Sequence, residues 1–146
     1  FAQATRADSA GSWRLRADAV ALVGPADVPM QWLARAGGPV SGPGYDFHEF
    51  VGRSMISTRA EFRRRIPFPV IPLGRFGRTG GEASLLPFGH AVWVQGAPSE
   101  ANGVFPSAGL GLGLFSDLLR VDIARGLRGG RWRFAIDLTT EFWPIL

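Results

Sequence analysis

The sequence contains no cysteine, and it has only two histidines among its 146 residues. The absence of cysteine excludes disulfide bonds and thiolate metal sites within this chain. Two histidines, with no carboxylates at ligand spacing, favour neither a metal centre nor a bound cofactor. No apolar run approaches the about 20 residues that a membrane-spanning helix requires.

Motifs for enzymatic chemistry are also missing. There is no Gly-x-Ser-x-Gly elbow, and no predicted helix follows Gly109, Gly111 and Gly113 as a phosphate loop would require. All 16 basic residues are arginine, and the net charge is +4. A basic balance can indicate a nucleic-acid partner. These arginines, however, are scattered along strand-like segments and alternate with carboxylates, so we predict a non-enzymatic protein that does not bind nucleic acid.

The clearest pattern that is present is a long alternation of apolar and polar residues near the C-terminus. In a strand, side chains point to opposite faces with period two, so this run has one apolar and one polar face. Its length of eleven residues matches the about 9–11 residues of a tilted membrane-spanning strand. The apolar face contains Trp132, Phe134, Ile136, Leu138, Thr140 and Phe142.

Five earlier segments alternate in the same way, and no segment has helical periodicity over a helix-like length. The sequence therefore predicts an all-β fold, an antiparallel meander of about six long strands. Residues 1–11 are predicted to be a loop. The segment 24–54 is rich in glycine and proline, and its length indicates either a functional or a disordered connection. The predicted strands are Ser12–Val23, Met55–Ile66, Glu82–Gln95, Val104–Phe115, Leu119–Ala124 and Trp132–Phe142.

Charged residues gather on one face of these strands, and the opposite face is apolar. Such an arrangement fits a solvated sheet face in a soluble sandwich, or a water-filled barrel lumen whose outer face meets lipid. Six strands cannot close a membrane barrel, for which about eight is the practical minimum. The chain also begins at Phe1 and has no signal peptide. We therefore predict that residues 1–146 are the C-terminal part of a transmembrane β-barrel in a longer protein.

Five motifs, in order, resemble the end of the BamA/surface-antigen superfamily of bacterial outer-membrane barrels. The first is Gly37-Gly38 followed by Gly44-Tyr45-Asp46-Phe47, which resembles a loop of that family that folds back into the lumen. The other four are Ser57-Thr58-Arg59-Ala60-Glu61-Phe62-Arg63, Phe88-Gly89-His90-Ala91-Val92-Trp93, Ser107-Ala108-Gly109-Leu110-Gly111-Leu112 and Leu119-Arg120-Val121-Asp122-Ile123-Ala124. The resemblance covers residues 12–143.

The resemblance implies a set of site residues. In the family, an arginine of the loop contacts carboxylates on the two following strands. In this chain Pro43 replaces that arginine and His90 replaces one carboxylate, whereas Glu61 remains. The implied lumen contacts of the loop are therefore Glu61 and His90. The implied loop motif is Gly37, Gly38, Gly42, Gly44 and Tyr45, and the implied seam strand carries Trp132, Phe134 and Phe142.

The resemblance also implies a function, location and partners. Members of the family insert proteins into the outer membrane or secrete them across it. The partners would then be outer-membrane lipid, a client polypeptide and the remaining strands of the barrel. Two alternatives stay open: a barrel that anchors an upstream domain, for example a lipase, and a soluble β-sandwich that binds a ligand or partner.

Overall fold

The computed structural model describes residues 2–8, 11–24, 28–72, 74–78, 80–96, 102–115 and 117–138. Strands dominate, and the helical elements are one four-residue α-helix, α1 (Gly38–Ser41), and two 3₁₀ turns, Met30–Trp32 and Gly74–Phe76. The strands are β1 (Ala2–Asp8), β2 (Gly11–Ala21), β3 (Ala34–Ala36), β4 (Phe50–Gly52), β5 (Ser54–Pro67), β6 (Glu82–Gln95), β7 (Gly103–Leu114), β8 (Leu119–Gly126) and β9 (Trp132–Leu138).

Seven of these strands form one antiparallel sheet in the order β1-β2-β5-β6-β7-β8-β9. The prediction of an all-β antiparallel meander is confirmed. Within the described residues the sheet is not closed, because β1 and β9 are its two edges. Strands β3 and β4 form a separate small sheet inside the connection between β2 and β5.

Among the described residues the main sheet has seven strands rather than about six, and the prediction of a loop over residues 1–11 is wrong. Ala2–Asp8 forms strand β1, which pairs with β2 from Ala2↔Ala17 to Asp8↔Gly11. The alternation in this segment is weak because its only apolar residues are the small alanines Ala2, Ala4 and Ala7. Pairing with a neighbouring strand, rather than hydrophobic contrast, defines β1.

The boundaries of the other strands lie close to their predicted positions. Strand β6 spans Glu82–Gln95, as predicted, although it contains Pro87. Proline lacks the N–H that a central strand uses for pairing, yet the register continues through Pro87↔Leu110. Strand β9 begins at Trp132 and is described to Leu138; Phe142 lies outside the described residues.

The register places the predicted charged residues on one face, here called the inner face. Glu61 lies opposite Arg14 on β2 and opposite Phe88 on β6. The same side of the sheet can be followed by cross-strand pairs through β7 and β8 to β9. The other, outward face is mainly apolar, and its charged residues include Arg6, Arg64 and Arg125. Its large side chains, each at least 41% exposed, are Trp13, Leu15, Ile56, Val104, Leu110, Ile123, Trp132, Phe134, Ile136 and Leu138.

The described part of the long connection from residue 28 to residue 53 packs onto the inner face. Its small sheet and the strand residues beneath it form a core of Ala36, Tyr45, Phe50, Met55, Val92 and Val94. The rings of Phe50 and Phe105 lie 4.3 Å apart and those of Tyr45 and Phe50 4.9 Å apart. In the part of the chain that the structure describes, no helix has the length and apolar character needed to cross a membrane.

Candidate functional site

A network of four charged side chains occupies the middle of the inner face. Arg120 Nη2 donates a hydrogen bond to Glu61 Oε2 at 2.7 Å, and Arg120 Nε donates to Asp122 Oδ1 at 2.8 Å. Arg59 Nη2 lies 3.1 Å from Glu61 Oε2 and 3.3 Å from Asp122 Oδ2. Glu61 is 5% exposed. Two cations and two anions thus neutralise each other, as buried charges require.

This network joins strands that are not neighbours. Arg59 and Glu61 belong to β5, whereas Arg120 and Asp122 belong to β8, and β6 and β7 lie between them. On β7 the inner-face positions between the two pairs are glycines, so no side chain blocks the crossing. The network therefore ties two separated strands of the sheet together.

Gly111 shows how closely the charged groups approach β7. A Cβ atom at this position would overlap Asp122 Oδ1, and it would lie 3.1 Å from Arg120 Nη2 and 3.2 Å from Leu86 Cβ. Real Cβ atoms essentially never show the first of these contacts, and the other two are tighter than most. A side chain here would have to displace the carboxylate and guanidinium groups, which lie over the strand.

Two further interactions hold the network in place. The guanidinium carbon of Arg59 lies 3.9 Å from the centre of the Phe88 ring, in a cation–π contact. Arg63, two residues after Glu61 on β5, forms an ion pair with Asp117 in the turn before β8. Strand β5 is therefore attached to the β7–β8 hairpin at two points, through the charge network and through the pair of Arg63 with Asp117.

The predicted loop motif forms one compact turn. The backbone N–H of Gly38 donates to the carbonyl of Tyr45 at 3.3 Å, and that of Gly42 donates to the carbonyl of Gly38 at 3.1 Å. The hydroxyl of Ser41 donates to the carbonyl of Gly37 at 3.1 Å. Gly37, Gly38 and Gly44 have positive φ angles of 123°, 79° and 88°, which favour glycine over other residues.

Tyr45 fixes this turn to β7 and to the connection between β8 and β9. Its hydroxyl donates to the carbonyl of Pro106 at 2.8 Å and accepts a hydrogen bond from the backbone N–H of Arg128 at 3.2 Å. Its side chain is buried, with 2% exposure. A Cβ at Gly126 would lie 2.7 Å from the Tyr45 ring, so that glycine provides the space for the aromatic side chain.

The turn also binds the connection between β8 and β9. The backbone N–H of Arg131 donates to the carbonyl of Gly44 at 3.0 Å. Asp46, which follows Tyr45, forms an ion pair with Arg133 on β9. Gly44 packs so closely against the backbone of Arg125 and Gly126 that a side chain there would overlap it. The loop motif is thus attached to the hairpin that leads into the edge strand.

His90 is buried on the same face, beside Ser57. The Ser57 hydroxyl and His90 Nε2 are 3.0 Å apart, and His90 Nδ1 has no hydrogen-bond partner among the residues that the structure describes. His90 and Glu61 line a cavity of about 280 Å³ together with Pro39 and Val40 of α1. Two residues of the loop and both predicted contact residues therefore line the same cavity.

The partners of Glu61 were not part of the predicted site. Among the described residues its ion pairs come from Arg59 and Arg120 of the strands, rather than from the loop. Pro43 lies in the wall of another cavity, with Asp122 and Arg133. The sequence feature that points to Arg120 is its position on the charged face of β8, the strand that pairs with the glycine-rich β7.

The seam residues that the structure describes lie on the outward side of the edge strand. Trp132 is 62% exposed and Phe134 is 65% exposed. In the described ranges no group of three or more histidine, aspartate or glutamate side chains could hold a metal ion. No family model matches this chain, and no curated protein or solved structure matches it either.

Proposed function

We propose that this chain forms the C-terminal part of a transmembrane β-barrel in a bacterial outer membrane. The barrel would be of the BamA/surface-antigen type and would take part in protein insertion or secretion without enzymatic chemistry. The observation that supports this most strongly is the distribution of polarity across the sheet. Glu61 on the inner face is 5% exposed, whereas Leu138 on the outward face is 64% exposed.

A buried charged residue and an exposed large apolar residue are the opposite of what is expected for a sheet in water. A sheet in a soluble protein buries its apolar face and leaves its charges solvated. Here the loop packs on the inner face around Met55, Val92 and Val94, and four charged side chains in the middle of that face pair with one another. The outward apolar side chains have no covering layer in the described residues. Soluble monomers rarely expose contiguous apolar patches larger than a few hundred Å². Lipid removes this cost, because the outward face would then contact hydrocarbon.

Strand length and connections agree with a barrel wall. Strands β5 and β6 have 14 residues each, β7 has 12 and β2 has 11, enough for tilted strands to cross a bilayer. The antiparallel strand order puts the links from β2 to β5, from β6 to β7 and from β8 to β9 at one end of the sheet. Outer-membrane barrels place long loops at one end. The connection 68–81 at the opposite end is longer than the short turns typical there.

The edge strand supports a role in handling polypeptides. Strand β9 pairs only with β8 among the described residues, so its other edge offers backbone hydrogen-bonding groups to a further strand. Strand addition to such an edge is a known mode of peptide recognition. The ion pair between Asp46 and Arg133 links the loop to this strand. A client strand would thus meet β9 and the loop together.

Membrane placement can be tested with single cysteines, because the sequence contains none. Ile136→Cys on the outward face and Asp137→Cys on the inner face would be made in an otherwise cysteine-free full-length protein in native membranes. A water-soluble maleimide should label Asp137→Cys, whereas Ile136→Cys should react only with a membrane-partitioning reagent. Equal labelling of both by the water-soluble reagent would contradict the membrane assignment.

The transport function needs a separate test. A photo-crosslinking amino acid at Phe134 on β9 should capture newly synthesised outer-membrane or secreted polypeptides in living cells. The same amino acid at Leu15 on β2, also on the outward face, is the control. Absence of client crosslinks at both positions, in a protein that still assembles in the membrane, would favour the anchor hypothesis.

A further inference from the structure

Two arginines lie on the outward face near one end of the sheet. Arg6 is two residues from the end of β1, and Arg64 is three residues from the end of β5. Both side chains are exposed, and neither takes part in an ion pair among the residues that the structure describes. Asp8, the last residue of β1, adds one negative charge against these two positive ones. This end of the outward face therefore keeps a net positive charge.

An aromatic pair lies between the two arginines. By the register, Arg6 lies opposite Trp13, and Trp13 lies opposite Phe62. Arg64 follows two residues after Phe62 on the same face, and the rings of Trp13 and Phe62 are 5.0 Å apart. Two strand spacings and two residues along the strand separate the Cα atoms of Arg6 and Arg64 by about 12 Å. Two extended guanidinium side chains can reach one anion across this distance.

The position of these arginines fits the interface of a membrane. Strands β1 and β5 run in the same direction, so both arginines lie at the end of the sheet opposite the connection from β2 to β5. An arginine on a barrel exterior is costly near the bilayer centre and nearly free close to the headgroups, where aromatic side chains also concentrate. Arginine binds phosphate through paired hydrogen bonds. The arginine patch, defined as Arg6, Trp13, Phe62 and Arg64, therefore suits the phosphate of a lipid.

A groove of about 610 Å³ lies beside the arginine patch. Its wall consists of three consecutive residues on each of four neighbouring strands, together with Ser107: residues 2–4, 15–17, 58–60 and 89–91. The outward side chains of these segments are small apart from Leu15, and a Cβ at Gly89 would meet nothing within 4 Å. On β1 the groove includes Ala4, which is the outward residue next to Arg6. A hydrocarbon chain in the groove can thus belong to a lipid whose phosphate lies at the arginines.

We propose that this surface binds one anionic membrane phospholipid, with its phosphate between Arg6 and Arg64 and one acyl chain in the groove. The inference rests on the proposed function, because it needs the outward face in contact with a bilayer. It adds a preference among lipids that apolar contact alone does not give, since charged and neutral lipids carry the same hydrocarbon chains. With the long loops outside the cell, this end of the sheet faces the periplasmic leaflet, which consists of phospholipid rather than lipopolysaccharide.

The test uses native mass spectrometry of the full-length protein in detergent, titrated with phosphatidylglycerol or phosphatidylethanolamine that carry identical acyl chains. The first phosphatidylglycerol should bind about thirtyfold more tightly than the first phosphatidylethanolamine, which corresponds to about 2 kcal/mol from two arginines beside an anionic headgroup. Equal affinities would overturn the site. Lipid A serves as a third ligand, and tighter binding of lipid A than of phosphatidylglycerol would overturn the assignment to a phospholipid.

Single substitutions locate the effect. Arg6→Gln and Arg64→Gln should each reduce the preference for phosphatidylglycerol about fivefold. Arg125→Gln removes the same charge from the outward face of β8 and should leave the preference unchanged, whereas Gly89→Trp fills the groove and should weaken both phospholipids equally. Equal losses in all three arginine variants would show general charge attraction and overturn the site, with the proposed function intact. A protein that binds no lipid and stays monomeric without detergent would overturn both.

Discussion

Replacing Gly111 by alanine is the sharpest test of the charge network. The new methyl group would overlap Asp122 Oδ1 and would press on Arg120 Nη2 and Leu86 Cβ. These neighbours cannot all move away, because Asp122 and Arg120 hold each other at 2.8 Å and Arg120 also holds Glu61. Gly111→Ala should therefore displace the carboxylate and weaken the link between β5 and β8.

The expected loss follows from two contributions. Overpacking a well-packed interior costs about 1–3 kcal/mol. Loss of a hydrogen bond between charged groups costs about 1.5–3 kcal/mol. Relaxation will remove part of the strain once the carboxylate has moved, so the two contributions overlap. We expect Gly111→Ala to lower the free energy of unfolding by about 2–4 kcal/mol on these magnitudes.

Gly89→Ala is the matched control. Gly89 is also in a central strand, but it is on the outward face and a Cβ there meets nothing within 4 Å. Neither glycine has a positive φ angle, so backbone strain does not distinguish them. Gly89→Ala should be neutral or stabilising by about 0.4–1 kcal/mol, because alanine restricts the unfolded chain.

Both variants can be compared by urea unfolding of the full-length protein in detergent micelles, with heat-modifiable migration on gels as the readout. The reasoning predicts a lower urea midpoint for Gly111→Ala and an unchanged or higher one for Gly89→Ala. Equal midpoints for the two variants would refute the claim that the charged groups lie over β7.

Three further predictions concern single side chains. Leu138→Arg should impair membrane assembly by about 2–4 kcal/mol if it lies near the bilayer midplane, whereas Asp137→Asn should be far milder in the same gel assay. Arg120→Leu should lower the free energy of unfolding by about 3–5 kcal/mol because Glu61 is left buried with fewer partners. Adding Glu61→Gln should recover part of this loss. Strictly additive effects of the two substitutions would count against the contact between the two side chains. Tyr45→Phe removes two hydrogen bonds at a cost of about 1–3 kcal/mol and should speed protease cleavage within residues 22–53 while the strands stay intact; an unchanged cleavage rate would argue against the anchoring role.

The sequence allowed the sheet and its faces to be predicted because alternation is a local property. Arg59 and Arg120 could be assigned to one face from period two alone. Their contact with a shared carboxylate could not, since it depends on how β6 and β7 bring distant strands together. Strand β1 was missed for the opposite reason: its alanines give little hydrophobic contrast, and only pairing with β2 reveals it.

In the loop, too, the local motif can be predicted from the sequence and its long-range contacts cannot. Its glycines and Tyr45 could be recognised as a motif from the sequence. The attachment of Tyr45 to Pro106, however, joins residues 61 positions apart and has no local signal. Period two assigns Arg133 to the charged face of its strand, but it does not predict that Arg133 pairs with Asp46. Long-range partners of loop residues depend on the curvature of the whole sheet, which no short window of sequence encodes.

The two sets of contacts on the inner face have separate consequences for motion. The charge network joins β5 to β8 without using the loop, so the buried charges stay neutralised if the loop moves. The loop is bound through Gly44, Tyr45 and Asp46 to the β8–β9 hairpin and the edge strand. Under the proposed function, displacement of β9 by a client strand would strain the loop contacts first, while the ion pairs between β5 and β8 stay in place. The buried charges of the inner face would then keep their partners.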